Sequence, residues 1–526
     1  MGVLDNPMPT GLSASLNSKV AKGELAVRMA DYAPVADGSA DDSTKIQTAA
    51  NTAATAGLFL DFDGTKRYNI NAGVVFPAGT RLRTNGCTFV KTVNNNTYVF
   101  KTGDRFTADR INLEITGGAS NDAGIWVNGN DTVIEKITVT SLTADQPGAN
   151  ALLVGDLSTQ KTNIRINSID LTGFRSPMRV INVAGSRLSN CTISNFMTGV
   201  YVINTVNTTF DKFVVTGTSA ASTGGAGQNG MLLEAQNNDL GCINLRFRDW
   251  LVDGSPEHAY RIGGGLSVAD ITFTKCIARN PGNAPGNVAT GGGSFKVLGT
   301  NGHMHQNIEL DGCTGEDGNT SAVGINNHSQ FSFGYVDGLT VINPRIRARN
   351  KTYSGQIGII LFACRNVDIV QPRIRDVLRQ ALYILRDATE PSPPIGVSGA
   401  RVNGGFFDGG STNNVIALDP AQAIISDTYL DNVTVSRGGS GIRWENPTTV
   451  GSDVGAYSND HVKLRYVNAP TGSTTPPVNA PSNAVTVDYT GPIYGSSSIP
   501  SADGGLYLNT GDGKRYIRKV GAWTQQ

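Results

Sequence analysis

A short segment in the middle of the chain concentrates side chains that could carry out acid–base chemistry. Between Asp253 and Arg261 the sequence holds two carboxylates, an imidazole, a phenol and a guanidinium, and His258 is one of only five histidines. A further carboxylate precedes this segment and a lysine follows it. The candidate catalytic residues are Glu234, Asp253, Glu257, His258, Tyr260, Arg261 and Lys296.

One reaction that these residue types suit is hydrolysis of a glycosidic bond. Two carboxylates flanking the bond would act as acid and base, or as acid and nucleophile. Glu234, Asp253 and Glu257 are the candidates for these two roles. The competing interpretation is structural: Glu257 and His258 would satisfy backbone groups of a turn.

The other reaction is β-elimination next to a uronate. Arg261 or Lys296 would neutralise the sugar carboxylate, while His258 or Tyr260 would remove the adjacent proton. Here too there is a structural alternative, in which Tyr260 belongs to the protein core. The sequence leaves hydrolysis and elimination open.

The elements that would position these residues are short apolar strands that recur about every 30 residues. The fourth residue of one strand in each repeat falls at positions 137, 169, 191, 213, 250, 276, 313, 344, 372 and 405. Glycine, asparagine and aspartate separate the strands, which is the composition of tight turns. An irregular repeat of this kind predicts a coiled chain rather than a series of independent domains.

A second set of strands alternates with the first and completes each repeat. Two strands per repeat fit one rung of a parallel β-helix, in which inward side chains of successive rungs stack into core columns. Arg261 and Lys296 fall in one column, about 4.8 Å apart by the strand spacing. The aromatic residues predicted to stack in the core are Trp126, Tyr201, Tyr260, Phe295 and Tyr383.

Composition supports an all-β protein and argues against several functional classes. The 526 residues include 63 glycines, and the 43 basic residues equal the 43 acidic ones, whereas a dedicated nucleic-acid-binding protein shows a basic excess. The six cysteines have no metal-ligand spacing, so buried, reduced thiols are expected, with no metal and no cofactor. The chain contains no apolar stretch that approaches a membrane span and no signal-peptide core in its first thirty residues, so neither membrane insertion nor ordinary export is expected.

Local charge is less even than the total. Arginines crowd the region from 345 to 386, and the sequence Pro-Arg-Ile-Arg at 344–347 recurs at 372–375. Stacked on adjacent rungs, these arginines would form a basic stripe. Such a stripe either blunts strand edges as solvated charge or guides an acidic polymer.

The N-terminal part of the chain resembles a known family. Residues 36–38 and 41–47, an alanine-rich helix predicted near 42–56 and residues 76–80 are similar to the opening of pectate-lyase-like β-helix proteins, an opening frequent in bacteriophage tailspikes. The resemblance implies an all-β, right-handed parallel β-helix. The helix would cover the open first rung, whose backbone would otherwise invite edge-to-edge pairing.

The C-terminal region resembles the short hairpins of phage fibre proteins. A Pro-, Ser- and Thr-rich stretch from about 466 to 503 precedes two alternating segments around residues 511–513, which predict a β-hairpin. Such fibres and spikes are usually homotrimers, and the resemblance implies the same here. We therefore expect a tether or attachment remnant at 1–30, the β-helix domain at 31–445, and at 446–526 a β-rich region that is a candidate for trimerisation.

These features predict a phage tailspike that recognises and depolymerises a bacterial surface polysaccharide. The expected partners are that polysaccharide, two further copies of the chain, and a tail or baseplate protein bound through the N-terminus. The expected location is the virion tail, acting at the host surface after synthesis in the host cytoplasm. The alternatives are a non-enzymatic receptor-binding spike, a bacterial cell-wall polysaccharide lyase or epimerase, and a purely structural virion part.

Overall fold

A computed structural model of the chain contains two compact units, Met1–Ser194 and Asn195–Gln526. Within each unit, short strands form two sheets, which we call sheet 1 and sheet 2, and the paired strands run parallel except near the C-terminus. The described residues are 25–93, 98–116, 123–142, 150–217, 228–236, 241–282, 292–318, 328–348, 356–385, 396–409, 414–418, 425–426, 428–436, 440–444, 462–468, 478–479, 485–491, 506–509, 514–519 and 522–525.

The first unit begins with a helix that covers its first rungs. The helix spans Ser43–Ala56 and ends at Gly57, whose left-handed conformation closes the last turn. Its apolar face, including Ile46 and Ala53, is fully buried. At the other end, the Asp41 carboxylate accepts a 3.0 Å hydrogen bond from the Ser43 N–H. The predicted capping helix is confirmed.

The strands of the first unit follow the predicted repeat. Its sheet 1 contains Ala26–Arg28, Asp37–Asp41, Phe59–Asp61, Arg67–Asn69, Arg81–Arg83, Thr88–Lys91, Thr107–Ile115, Val133–Ser141, Lys161–Thr162, Arg165–Ile166, Ile169–Thr172, Val183–Ala184 and Arg187–Ser194. Its sheet 2 contains Val74–Phe76, Phe100–Thr102, Ala123–Val127, Asn150–Gly155 and Met178–Ile181. A 3₁₀ turn, Met29–Tyr32, follows the first strand.

The second unit repeats this arrangement over more rungs. Its sheet 1 contains Val206–Thr216, Cys242–Arg248, Leu251–Asp253, Val268–Thr274, Ile277–Arg279, His305–Asp311, Thr314–Glu316, Val336–Ile342, Arg345–Arg347, Arg365–Val370, Arg373–Arg375, Val397–Asn403, Phe406–Asp408, Ile425–Ser426, Tyr429–Asp431, Thr434–Ser436, Val462–Asn468 and Val485–Gly491. Its sheet 2 contains Val200–Ile203, Met231–Glu234, Tyr260–Gly263, Phe295–Leu298, His328–Gly334, Gln356–Phe362, Leu382–Ile384, Asn414–Leu418, Ser440–Trp444 and Val478–Asn479.

The chain ends in antiparallel strands. Leu506–Asn509 pairs with Lys514–Lys519, and Lys514–Lys519 pairs in turn with Ala522–Gln525. The predicted hairpin is therefore present, although its turn, residues 510–513, lies outside the described residues. No helix in the described residues combines the length and apolarity needed to cross a membrane.

Inward side chains stack from rung to rung and form the core of the second unit. Tyr260 and Phe295 stack with ring centroids 4.5 Å apart, and Phe331 continues the column at 4.8 Å. These paired residues share a register, because strands stacked in parallel place equivalent side chains above one another. The predicted all-β, parallel β-helix fold is confirmed.

The predicted aromatic core column needs correction for Trp126, Tyr201 and Tyr383. Tyr383 shares the outward column of Arg261 through Ile360, Ser332 and Lys296. Tyr201 pairs with Leu232, and Leu232 pairs with Arg261, so Tyr201 shares a column with Arg261 rather than with Tyr260. Tyr201, like Trp126 in the first unit, is only partly buried. Adjacent residues of a strand point to opposite faces, so an alignment that is one residue out moves a side chain from the core to the surface.

Seven successive rungs of sheet 1 in the second unit each carry a left-handed residue, and these residues form a column. These residues are Asn207, Asn244, Asp270, Asn307, Gly338, Asn366 and Gly399, all with positive φ. Asparagine, aspartate and glycine tolerate this conformation better than other residues do. Side chains also bridge neighbouring rungs there, as in the 2.7 Å hydrogen bond from the Asn366 amide to Asp337.

The arginines of the repeated Pro-Arg-Ile-Arg sequence stack as predicted. Arg345 pairs with Arg373, and Arg347 pairs with Arg375, on adjacent strands of sheet 1. Arg347 forms an ion pair of 3.1 Å with Asp376, and all four arginines are exposed. The basic stripe is thus present on the surface of the second unit.

The cysteines are free and buried, as predicted. All six thiols lie in the interior, two in the first unit and four in the second: Cys87, Cys191, Cys242, Cys276, Cys313 and Cys364. Burial raises the pKa of the Cys276 thiol well above its ordinary value, so the thiol stays protonated.

Candidate functional site

The candidate site lies on the outer face of sheet 2 in the second unit. Successive strands pair Leu232 with Arg261, Arg261 with Lys296, and Lys296 with Ser332. The neighbouring residues Tyr260 and Phe295 are buried, so alternation along each strand turns Arg261 and Lys296 outward. The sequence-predicted column of Arg261 and Lys296 is therefore present.

Glu257 holds the guanidinium of Arg261. The Arg261 Nη1 atom lies 3.5 Å from Glu257 Oε2, and the Glu257 side chain is only 3% exposed. The Arg261 side chain remains 24% exposed, and its buried Nε atom has no hydrogen-bond partner among the described residues. A cation that is fixed by a buried carboxylate and still reaches the surface can bind an anion.

His258 is enclosed beside Glu257 and already uses its acceptor nitrogen. Its Nδ1 accepts a 2.9 Å hydrogen bond from the Gly293 N–H, and its Nε2 lies 3.4 Å from Glu257 Oε1. Burial lowers the pKa of His258 to about 4, although Glu257 acts in the opposite direction. A neutral imidazole has a single acceptor nitrogen, so His258 has no lone pair left for a substrate proton.

Lys296 lies next to Arg261 and is partly buried. Burial lowers the pKa of its ammonium, the charge of Arg261 lowers it further, and Glu257 partly offsets both. Loss of its proton is therefore easier than for an ordinary lysine. A lysine with a lowered pKa can act as a base.

Glu234 belongs to a small polar group on the preceding rung. Its Oε2 accepts a 2.5 Å hydrogen bond from the Tyr201 hydroxyl. The Gln236 amide donates to the Tyr201 hydroxyl at 2.7 Å and lies 3.4 Å from the Glu234 carboxylate. Glu234 is partly exposed and pairs with Gly263, two residues beyond Arg261 in the next strand.

Two of the sequence-predicted residues lie elsewhere. Tyr260 is 1% exposed, and its hydroxyl donates a 3.0 Å hydrogen bond to the Ile277 carbonyl. Asp253 lies in sheet 1, where it accepts a 3.0 Å hydrogen bond from Asn280. This placement corrects the expectation that Tyr260 reaches a substrate, and it separates Asp253 from the outward column of sheet 2.

The sequence pattern does not identify Tyr201 or Gln236 as site residues. It predicts Tyr201 in the core, where its hydroxyl would not reach a ligand. The signal that finds it is the outward column itself: once Arg261 and Lys296 are aligned, Tyr201 falls two rungs before Arg261. Among the described residues, no group of three or more His, Cys, Asp or Glu side chains is arranged to hold a metal ion.

Comparison with known proteins identifies similar structures but no sequence relatives. No protein-family model matches the chain, and no curated protein sequence gives a significant match. The N-terminal fragment of bacteriophage Phi29 gene product 12 matches with a TM-score of 0.54 at 10% identity, over 94% of this chain and 77% of that one.

Two further similar structures are those of a tailspike protein with a bound pentasaccharide and of a polysaccharide epimerase. A mutant tailspike protein of E. coli bacteriophage HK620, in complex with a pentasaccharide, has a TM-score of 0.47 and 12% identity, over 88% of this chain and 81% of that one. The Azotobacter vinelandii mannuronan C-5 epimerase AlgE6 A-module has a TM-score of 0.39 and 12% identity, over 86% and 97%. At these identities the likeness concerns the fold alone.

Proposed function

We propose that this chain is a phage tailspike that binds a uronate-containing bacterial surface polysaccharide and cleaves it by β-elimination. The observation that carries the proposal is the pair Arg261 and Lys296, in register on an outer sheet face. One of these cations is held by Glu257, and the other has a lowered pKa. Together they supply the two functions that elimination next to a carboxylate requires.

The proposed reaction assigns one role to each cation. Arg261 binds the uronate carboxylate and neutralises it, which makes the proton on the adjacent sugar carbon more acidic. The neutral amine of Lys296 takes that proton, and its electron pair forms a carbon–carbon double bond as the bond to the leaving glycosidic oxygen breaks. The leaving oxygen takes a proton from water, and Lys296 later returns its own proton to solvent.

Hydrolysis is the second candidate, because Glu234 is a partly exposed carboxylate bonded to Tyr201. A hydrolase of the usual type requires two carboxylates at the scissile bond. Asp253 lies in sheet 1, and Glu257 is enclosed by His258 and Arg261. Elimination therefore uses groups already placed together, whereas hydrolysis needs a second carboxylate from elsewhere.

The assignment to a tailspike rests on features of the whole chain. Repeated rungs present a long face of repeated binding positions, which suits a polymer of repeated sugars. The opening segment and the C-terminal hairpin are those expected of phage spikes and fibres. A homotrimer, attachment to the phage tail through the N-terminus and action at the host surface are parts of the same proposal.

The test is incubation of the full chain with purified capsular and O-antigen polysaccharides, following new reducing ends and ultraviolet absorbance together. Elimination creates both a reducing end and an absorbing unsaturated uronate, so both signals are expected to rise. Reducing ends without absorbance would replace elimination by hydrolysis and assign the proton transfer to Glu234. A polysaccharide that binds and yields no product would contradict any cleavage and leave a receptor-binding spike.

A carboxyl-reduced form of the responsive polysaccharide is the matched control. Reduction converts each uronate to a neutral sugar and removes the group that Arg261 binds. We expect loss of cleavage with the chain length of the polymer unchanged. Cleavage of the reduced polymer at the original rate would refute a role for the carboxylate.

A further inference from the structure

A recess in sheet 1 of the second unit is separate from the residues of the proposed cleavage site. It has a volume of about 310 Å³ and is lined by Asn366, Asp368, Gly399, Arg401 and Tyr429. Ligand-binding pockets range from ~300 to 1,000 Å³, so the recess has room for a small group such as one sugar ring. None of its lining residues belongs to the outward column of sheet 2.

Three successive rungs supply the functional side chains of the recess. Asp368 pairs with Arg401, and Arg401 pairs with Tyr429, so these residues form one column. Asp368 and Arg401 are exposed, while their neighbours Val367 and Val402 are buried. The column therefore faces solvent over three rungs.

Two left-handed residues line the recess beside this column. Gly399 and Asn366 both have positive φ, at 65° and 51°. Gly399 contributes no side chain, and the Asn366 amide points to Asp337, with which it forms a 2.7 Å hydrogen bond. The absent side chain of Gly399 and the turned-away amide of Asn366 thus leave room at this position.

The lining groups are those that recognise a sugar by its hydroxyls and its ring face. A carboxylate accepts hydrogen bonds from two neighbouring hydroxyls, and a guanidinium donates to two oxygens through its planar fork. The Arg401 guanidinium lies over the Tyr429 ring, 5.9 Å from its centroid, so the cation and the aromatic ring are neighbours in the lining of the recess. Neither Asp368 nor Arg401 forms an ion pair with another described residue.

We propose that this recess is a binding site for one neutral sugar residue, distinct from the cleavage site. The Asp368 carboxylate repels an acidic sugar, while hydroxyl pairs satisfy both Asp368 and Arg401 without a net charge on the ligand. Tyr429 supplies an apolar surface for the sugar ring. Arg261 and Lys296 are two neighbouring cations on sheet 2, which suits an acidic sugar. The proposal therefore places neutral sugars on sheet 1 and acidic sugars on sheet 2 of the second unit.

The test measures binding of small neutral glycosides to the full chain. The probes are the methyl glycosides of glucose, galactose, mannose and rhamnose, with methyl glucuronide as the acidic comparison, detected by saturation-transfer NMR and titration. Asp368→Asn keeps the size of an exposed side chain and removes its charge, and Tyr429→Ala removes the ring. Thr340→Ala is the matched control, because Thr340 lies one rung before Asp368 in the same column.

We expect at least one neutral glycoside to bind the unaltered chain and the Thr340→Ala variant, with at least tenfold weaker binding to Asp368→Asn and Tyr429→Ala. If no neutral glycoside gives a signal that Asp368→Asn reduces, the proposal fails. Binding of methyl glucuronide that depends on Arg401 would overturn the assignment to a neutral sugar. A Lys296→Met variant separates the two proposals, because it removes cleavage and leaves binding in the recess intact.

Discussion

The outer face of sheet 2 changes character between two stretches of the second unit. The outward column carries Arg261 and Lys296 and then, after Ser332, Ile360 and Tyr383 on the following rungs. Ile360 and Tyr383 are 6% and 9% exposed and form an apolar cluster with Ile357, Phe362 and Leu385. We call the first stretch the cationic stretch and the second the apolar stretch.

The inward column hardly changes over the same distance. It carries Tyr260, Phe295, Phe331, Ile359 and Leu382, all of them buried. The backbone ladder and the core are thus common to both stretches, and only the outward residues differ. This comparison teaches that the inward column keeps its apolar character from rung to rung, while the outward positions change from charged to apolar residues.

The largest expected effect is on activity and belongs to the cationic stretch. Lys296→Met keeps the length and apolar stem of the side chain and removes the amine proposed as base. General acid–base groups contribute about 10²–10⁴-fold, so we expect kcat/KM for the responsive polysaccharide to fall by that factor. Ser332→Ala, one rung further in the same column, is the control and is expected to retain full activity. Equal losses in both variants would remove Lys296 from the mechanism.

The next effect is on stability and belongs to the apolar stretch. Ile360→Ala leaves a cavity within a buried cluster and is expected to lower the free energy of unfolding by about 2–5 kcal/mol. Denaturant unfolding measures this loss, and the cleavage assay is expected to give an unchanged rate under native conditions. A loss of cleavage without a loss of stability would show that the apolar stretch takes part in the reaction.

The third effect is a dependence of stability on pH that two buried histidines cause: His258, next to the cationic stretch, and His305, in sheet 1. Burial lowers the pKa of both His258 and His305 to about 4, from an ordinary value of 6.5. Between these values the unfolded state binds more protons, so stability is fully present above pH 6.5 and is lost as the pH falls towards 4. A pKa shift of this size corresponds to a change of about 3 kcal/mol in the free energy of unfolding for each histidine.

Thermal and denaturant unfolding between pH 7 and pH 4 measures this loss. His305→Gln is expected to flatten the profile, because its imidazole is buried and accepts a hydrogen bond from the Val268 N–H. His303 is exposed, so His303→Gln is the matched control and is expected to leave the profile unchanged. If the unaltered chain and both variants lose the same stability on acidification, groups other than His305 cause the loss.

The smallest expected effect concerns Tyr260, the inward neighbour of Arg261 in the same strand. Tyr260→Phe removes a hydroxyl that donates to the Ile277 carbonyl and retains the stacked ring. We expect a loss of about 1 kcal/mol in the free energy of unfolding and no loss of cleavage. A large fall in activity with stability retained would return Tyr260 to the list of catalytic residues.

The sequence predicts the repeat, the capping helix and the C-terminal strands because each depends on local pattern. The pairing of Arg261 with Lys296 is also predictable, since both follow a strong aromatic position in their strands. The surface position of Tyr201 is not, because an error of one residue in alignment reverses the face of a strand. Asp253 and Arg261 are eight residues apart but belong to strands of different sheets, so closeness in sequence does not place them in one site.

The buried thiols of both units can report local opening of the fold. The thiolate of an accessible cysteine attacks an electrophilic thiol reagent, so each buried cysteine reacts only when its rung opens. Labelling rates at Cys87 and Cys191 in the first unit, and at the four cysteines of the second, would therefore give a rung-by-rung profile of opening free energies without any engineered probe. The native cysteines thus allow the cooperativity of the fold to be measured directly.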